Sequence, residues 1–399
     1  MTITIDPTNL SAETKLLLKR LLYTSQEIYF EPGRYKVKRS FMKTDTVEIF
    51  LTHHLVKGFC KHNPEYKRVE VLGKKLGSGS YGSLYDSLGV LHTEKNMHFK
   101  VRTPDKEKVV KQVNLKHSAH LDVIAEEKQI NLCSNKIRCK PSLFNSNYGF
   151  LRMTKAHGIP LDDLISSIQK GKTKLSLLKL LKLSINLITA LHNLHKQGWI
   201  HRDIKPDNII VDLENLEVTL IDFGFTCKKG SVEVLQGNWY YIAPEYVDSY
   251  VVTRKIDWFS MGKTLAELWG DRSIDSFNSD ECTIDEAYSY HSCEEFIDLF
   301  HCVDMPKEFQ NDLKVSLQNM TRVDPTKRIG YKEMRQALQT LIDKVESSEI
   351  NHKLVHENCI KLCDSDHTPA YSAEANSEED TEDNSEDYSE KCLFKFKTR

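Results

Sequence analysis

Two short polar segments carry groups whose types and spacing suit transfer of a phosphoryl group. The first, HRDIKPDN at residues 201–208, brings Asp203, Lys205 and Asn208 close together, and the second, IDFG at 221–224, places Asp222 one hairpin's length beyond Asn208. Asp203 is suited to accept the proton of an attacking hydroxyl, Lys205 to neutralise charge on the moving phosphate, and Asn208 with Asp222 to hold magnesium. In this order the two segments point to transfer of the γ-phosphate of ATP to a protein hydroxyl.

Those groups need rigid elements on either side. Ile209, Ile210 and Val211 read as a short buried strand leaving the first segment, and EVTLIDFG at 217–224 as an antiparallel strand that presents Asp222. The most apolar run, Leu175 to Leu194, is interrupted by Lys179, Lys182 and Asn186 and has leucines at helical spacing, so it reads as a buried core helix. No segment has the uncharged apolar length of a membrane span. Further upstream, VEVLGKKLGSGSYGSLY at 69–85 predicts a strand, a tight turn and a second strand. Gly77, Gly79 and Gly82 form GxGxxG there, a pattern that dinucleotide folds and ordinary glycine turns also match. The strand pattern at Ser83–Tyr85 separates the cases, because the dinucleotide fingerprint opens a helix. Glycines in such a loop let backbone amides approach phosphates without obstruction. VVKQV at 109–113 then supplies Lys111 on a strand, and LDVIAEEKQINL at 121–132 a helix with carboxylates at Glu126 and Glu127.

Composition leaves room for this catalytic core and for extensions. The chain has 399 residues, 40% of them hydrophobic and 28% charged, with a formal net charge of −2, which gives no overall pull toward nucleic acid or membrane. Its ten cysteines are scattered and read as reduced thiols in a cytoplasmic setting; a metal site at Cys359 and Cys363 with His352 and His356 is the minor alternative. The N-terminus lacks the pattern of a cleaved secretory signal. Residues 1–65 read as an extension of open role containing an amphipathic helix, LSAETKLLLKRLL, capped by Ser11, with regulation, partner binding and bracing of the strands downstream as the alternatives. The segment around Gly89 to Lys106 reads as an enlarged turn.

Taken together, the motifs resemble those of the eukaryotic protein kinases over roughly residues 66–345. The resemblance implies an α+β, bilobal fold, with an antiparallel-sheet small lobe at 66–156 and a mainly helical large lobe at 157–345. It also implies ATP as cofactor, with magnesium or alternatively manganese. ATP would be bound by Gly77, Ser78, Gly79, Ser80, Tyr81, Gly82 and Leu84, with Tyr81 at the loop tip. Lys111 would orient the α and β phosphates and pair with Glu127, preferred over Glu126 because Ile130 then falls at the inward position three residues on. Met153 in GFLRMTKAHGIPLDDL takes the gatekeeper position, and the backbone of Thr154 to Ala156 meets the adenine edge. Phe223 would pack under the helix, Asp257 would brace the catalytic loop, and Arg328 would pair with Glu245 of the motif APE at 243–245. Lys205 is the choice of kinases that act on serine and threonine of protein substrates. The chain departs from the pattern at Asn238, where a threonine is usual, and at Val234, which replaces the usual phosphothreonine; Glu233 offers a permanent anion to Arg202. A pseudokinase scaffold without turnover is the rival implication.

The last unit, residues 346–399, contains SAEANSEEDTEDNSEDYSEK at 372–391, too acidic and too poor in apolar residues to fold alone. Followed by CLFKFKTR, it resembles the C-terminal export signal of Legionella-type type IV secretion effectors. That resemblance implies recognition by secretion machinery and action in a host cytoplasm. A solvating or interaction tail on a cytosolic kinase is the competing expectation.

Overall fold

Alternating strand patterns upstream of residue 155 assemble into a small sheet and a large antiparallel one, and the helical periodicity after it into a mainly helical lobe. The structure, a computed structural model, describes residues 2–39, 45–58, 68–79, 82–93, 96–103, 106–116, 118–233, 235, 237–277 and 296–364. By contacts the chain divides into Met1–Glu346 and Ser347–Arg399; in the second unit residues 347–364 are helical, and the acidic stretch at 372–391 lies outside the described residues.

The N-terminal elements are β1 (Thr2–Ile5), α1 (Ala12–Thr24), β2 (Tyr29–Phe30), β3 (Gly33–Lys38), β4 (Thr46–Leu51) and β5 (His54–Lys57). The Ser11 side chain caps α1 by accepting from the Thr14 amide. β1, β4 and β3 form a small sheet. Its Ile5, Ile49 and Leu51 share a core with Leu17, Leu18, Leu21 and Leu22 of α1. The same core includes Val69, Val71 and Leu91 from the strands C-terminal to it.

Those strands are β6 (Arg68–Gly79), β7 (Gly82–His92), β8 (His98–Val101), β9 (Lys108–Asn114), β10 (Leu143–Phe144) and β11 (Tyr148–Thr154), with helix α2 (His120–Cys133) between β9 and β10. The sheet order is β10-β11-β9-β7-β6-β5-β2, with β8 pairing β7 off this path. Two short strands of the N-terminal segment thus extend the sheet, and Tyr29 packs its ring 5.1 Å from Phe150 and 5.7 Å from Tyr148. The stretch read as an enlarged turn is instead a hairpin, because β8 pairs back on β7 from Gly89↔Val101 to His92↔His98.

The large lobe contains β12 (Ile159–Pro160), α3 (Leu161–Gln169), α4 (Leu177–Lys196), β13 (Trp199–Ile200), β14 (Ile209–Asp212), β15 (Glu217–Leu220), β16 (Cys227–Lys228), α5 (Pro244–Ser249), α6 (Arg254–Leu268) and α7 (Lys307–Met320), together with the part of α8 (Tyr331–Asp364) up to Glu346. Among the described residues α4 alone is long and apolar enough to cross a membrane, and it buries Leu180, Leu181, Leu183, Leu187, Ile188, Leu191 and Leu194 in the main core. α6 is buried along most of its length and carries Asp257 and Glu267 inward.

Burial pushes the Glu267 carboxyl up to about 8 from 4.5. The folded chain therefore retains a proton that the unfolded chain loses, and this contribution to stability declines as pH rises from about 4.5 to about 8. Glu267→Gln removes that dependence: thermal denaturation should show a melting temperature several degrees above wild type at pH 8 and little gain at pH 5. A uniform shift at both pH values would contradict this.

Candidate active site

The β14–β15 hairpin, with Ile209 opposite Leu220 and Asp212 opposite Glu217, fixes the two polar segments against each other. Residues Pro206–Asn208 form a 3-10 turn, and the Ile221 amide donates to the Asn208 carbonyl at 3.0 Å. Asn208 uses its amide nitrogen on Asp203, reaching the backbone oxygen at 2.8 Å and Oδ2 at 2.7 Å. Lys205 Nζ lies 3.0 Å from the same Oδ2. Asp203, Lys205 and Asn208 are thus brought together as one hydrogen-bonded group.

Beneath it, the buried Asp257 of α6 accepts from the amides of His201 at 2.8 Å and Arg202 at 2.9 Å. His195 at the end of α4 sets Nε2 2.8 Å from Asp257 Oδ2. Burial works against charge on Asp257, but the contacts from His195 and His201 outweigh it and hold the carboxyl below its ordinary value. Arg202 has φ of 70°, a left-handed conformation unusual for such a residue, and its amide is one of those that Asp257 secures. Asp257 was legible as a brace. Its histidine partner was not, because nothing in the pattern of an apolar helix marks which terminal polar residue turns inward.

Lys111 Nζ lies 2.7 Å from Glu126 Oε1 and 3.0 Å from Asp222 Oδ1. Burial disfavours the ammonium, yet the two carboxylates outweigh it and hold its proton above the ordinary lysine range. Asp222, which burial alone would raise, is kept below the usual aspartate value chiefly by the Lys111 ammonium. The pairing corrects the sequence reading, in which Glu127 met Lys111. α2 buries Val123, Glu126, Ile130 and Cys133. At about 100° per residue Glu127 lies off that stripe, and its Oε2 instead accepts from the Ser142 amide and hydroxyl, both at 2.7 Å. Asp222 has φ of 56°, and the Phe223 ring behind it is buried in the main core, 5.4 Å from the His201 ring.

Across the cleft, Gly79 pairs with Gly82 at the end of the β6–β7 hairpin, while Ser80 and Tyr81 lie outside the described residues. A Cβ at Gly82 would sit 2.0 Å from the Gln112 carbonyl, so close packing of β7 on β9 demands glycine there. Gly77 and Gly79 have open space around a Cβ, and Ser78 lies between them opposite Ser83. Leu84 stands opposite Lys111 on β7, and Leu151 opposite it on β11. Met153 packs partly buried against the main core. The Thr154 amide is bonded to the Arg138 carbonyl at 3.0 Å, and Ala156 follows β11 in a connecting stretch without regular structure.

The segment after Asp222 is anchored at its end by an ion pair to the buried Arg328, which reaches Glu245 at 2.6 and 2.9 Å and also donates to the carbonyls of Arg322 and Lys255. Nearer the site, Arg202 donates to the Tyr246 hydroxyl at 2.6 Å and the Phe225 carbonyl at 2.9 Å, and Glu233 stands 3.9 Å from its guanidinium. Val234 lies outside the described residues. Asn238 turns its side-chain oxygen to the Tyr240 amide at 2.9 Å, capping its own turn.

A family model described as the protein kinase domain matches residues 71–340. Serine/threonine-protein kinase Sgk1 of Rattus norvegicus is 25% identical over 271 residues, covering 65% of this chain and 56% of that protein. Ribosomal protein S6 kinase alpha-3 of Homo sapiens is 26% identical over 255 residues, covering 61% and 32%. Serine/threonine-protein kinase YPK1 of Saccharomyces cerevisiae is 29% identical over 150 residues, covering 36% and 20%. The matches therefore span little more than half of the rat relative and less of the others.

Proposed function

Because the chain belongs to the protein kinase family, we propose that it transfers the γ-phosphate of ATP to serine and threonine hydroxyls of protein substrates. The observation that carries this reading is Lys111 held between Glu126 and Asp222, with Asp222 joined through the β14–β15 hairpin to the Asp203–Lys205–Asn208 group. Lys111 is a fixed positive charge for the α and β phosphates. Asp203, itself held by Lys205 and Asn208, is placed to accept the proton of the incoming hydroxyl, and Lys205 offsets charge on the transferred group. Asn208 has spent its amide nitrogen on Asp203, so its oxygen is the atom it offers to a cation. With the Asp222 carboxylate it makes a hard-oxygen donor set that fits magnesium, which when bound supplies further neutralisation of phosphate charge. No covalent enzyme intermediate is needed. The lysine at 205 and the Ser/Thr specificity in the names of the rat and yeast relatives support the choice of acceptor. Lys111, Asp203 and Asp222, the charged groups that pseudokinases tend to lose, are all present here, which disfavours the scaffold reading.

Glu233 beside Arg202 supports activity without phosphorylation of the segment after Asp222. The test is transfer of labelled γ-phosphate to proteins of a mixed cell lysate by phosphatase-treated enzyme. Wild type should label serine and threonine, and Asp203→Asn should lower the rate by about a hundredfold or more. Equal labelling by both proteins, or none by folded, ATP-binding wild type, would overturn the proposal.

Delivery into a host cytoplasm is a further reading, supported only by the sequence of the acidic and terminal stretch at 372–399. A translocation reporter lacking residues 370–399 should lose delivery; unchanged delivery would remove the tail from the account.

A further inference from the structure

On the face of the large sheet away from Lys111 lies a cavity of about 480 Å³ that the proposed transfer reaction does not use. The register fixes its side. Lys111 stands opposite Leu151, whereas Arg152 stands opposite Val110 and Lys108 opposite Thr154, so Lys108 and Arg152 emerge from the other surface of the pleat. Its described lining includes six basic side chains, Arg68, Arg102, Lys108, Arg138, Lys140 and Arg152, and one carboxylate, Glu70.

Glu70 is buried and serves two guanidiniums at once. It pairs with Arg102 and, at 2.8 Å, with Arg152, and it also accepts from the Ser87 hydroxyl. Arg102 and Arg152 are therefore held in place, and their side chains keep 15% and 16% exposure. Lys108 Nζ donates to the Thr154 hydroxyl at 3.1 Å. Burial and then the like charges of Arg102, Arg152 and Lys140 hold its ammonium below the ordinary lysine range. Arg138 and Lys140 approach from the segment after α2, which Asn131 fastens to that helix through both the amide and the carbonyl of Cys139.

We infer that this cavity binds a compact polyphosphate, a small ligand with several phosphate groups on one frame. Fixed guanidinium forks match phosphate oxygens in pairs. Six cations from five segments converge on one concavity rather than line a stripe, which suits a compact polyanion better than a nucleic-acid strand. Its ligand would also bridge the end of α2, the helix that carries Glu126, to the sheet that carries Lys111. The inference goes beyond the proposed transferase activity, and its binding readout does not depend on that activity.

The test is calorimetry of the full chain with inositol hexakisphosphate, together with sedimentation on phosphatidylcholine vesicles with and without phosphatidylinositol bisphosphate. Arg138→Glu combined with Lys140→Glu alters exposed side chains at the cavity. Lys332→Glu combined with Arg335→Glu makes the same charge change at exposed positions of α8. Wild type should bind, the cavity pair should weaken binding by about tenfold or more, and the α8 pair should not. Binding of the soluble probe alone would name a free polyphosphate as the ligand, and specific vesicle binding a lipid headgroup; either upholds the cavity. No binding in both arms, or equal loss in both charge variants, would overturn the inference.

Discussion

The site depends on one ammonium group held between two carboxylates. Lys111 comes from a strand, Glu126 from the helix after it, and Asp222 from a hairpin in the other lobe, more than a hundred positions away in sequence. A buried ammonium is costly unless paired, so each carboxylate that approaches it is favoured strongly, and losing either leaves charge uncompensated. This constraint aligns the strand, the helix and the catalytic hairpin at once. The rest of the small lobe keeps the strand where it must be: Gly82 allows β7 to lie against β9, and the N-terminal strands widen the sheet behind them.

A second constraint works from below. Arg202 and Asp222 both take left-handed backbone conformations, which persist only where surrounding bonds over-determine them. Asp257 supplies those bonds at Arg202, and Lys111 supplies them at Asp222. The strained residues therefore flank the catalytic group on either side of a hairpin whose own register is regular. Rigidity is placed where charge must be positioned, in keeping with a reaction that proceeds by orientation and electrostatics.

The polar segments were legible because their chemistry needs particular residue types at short spacing, and the hairpin between them because β-branched runs flank it. Helix α1 was legible through its leucine stripe and the Ser11 cap. Strands β2 and β5 were not, since elements of two and four residues owe their form to partners far away in sequence. The choice between Glu126 and Glu127 failed for a narrower reason. Judged against Ile130 alone, both lie one helical turn away; Cys133, seven residues after Glu126, joins the same buried stripe and selects Glu126. The basic cavity left no sequence signal at all, because its cations come from strands and a loop that only the folded sheet brings together.

The most direct measurement of the central claim compares kcat/KM for γ-phosphate transfer, and KM for ATP, in Glu126→Gln and Glu127→Gln. Loss of the Lys111 partner should lower kcat/KM by about tenfold or more in Glu126→Gln, while Glu127→Gln, which only weakens the hold on Ser142, should stay close to wild type. The reverse order, or equal losses, would contradict the account of how Lys111 is held.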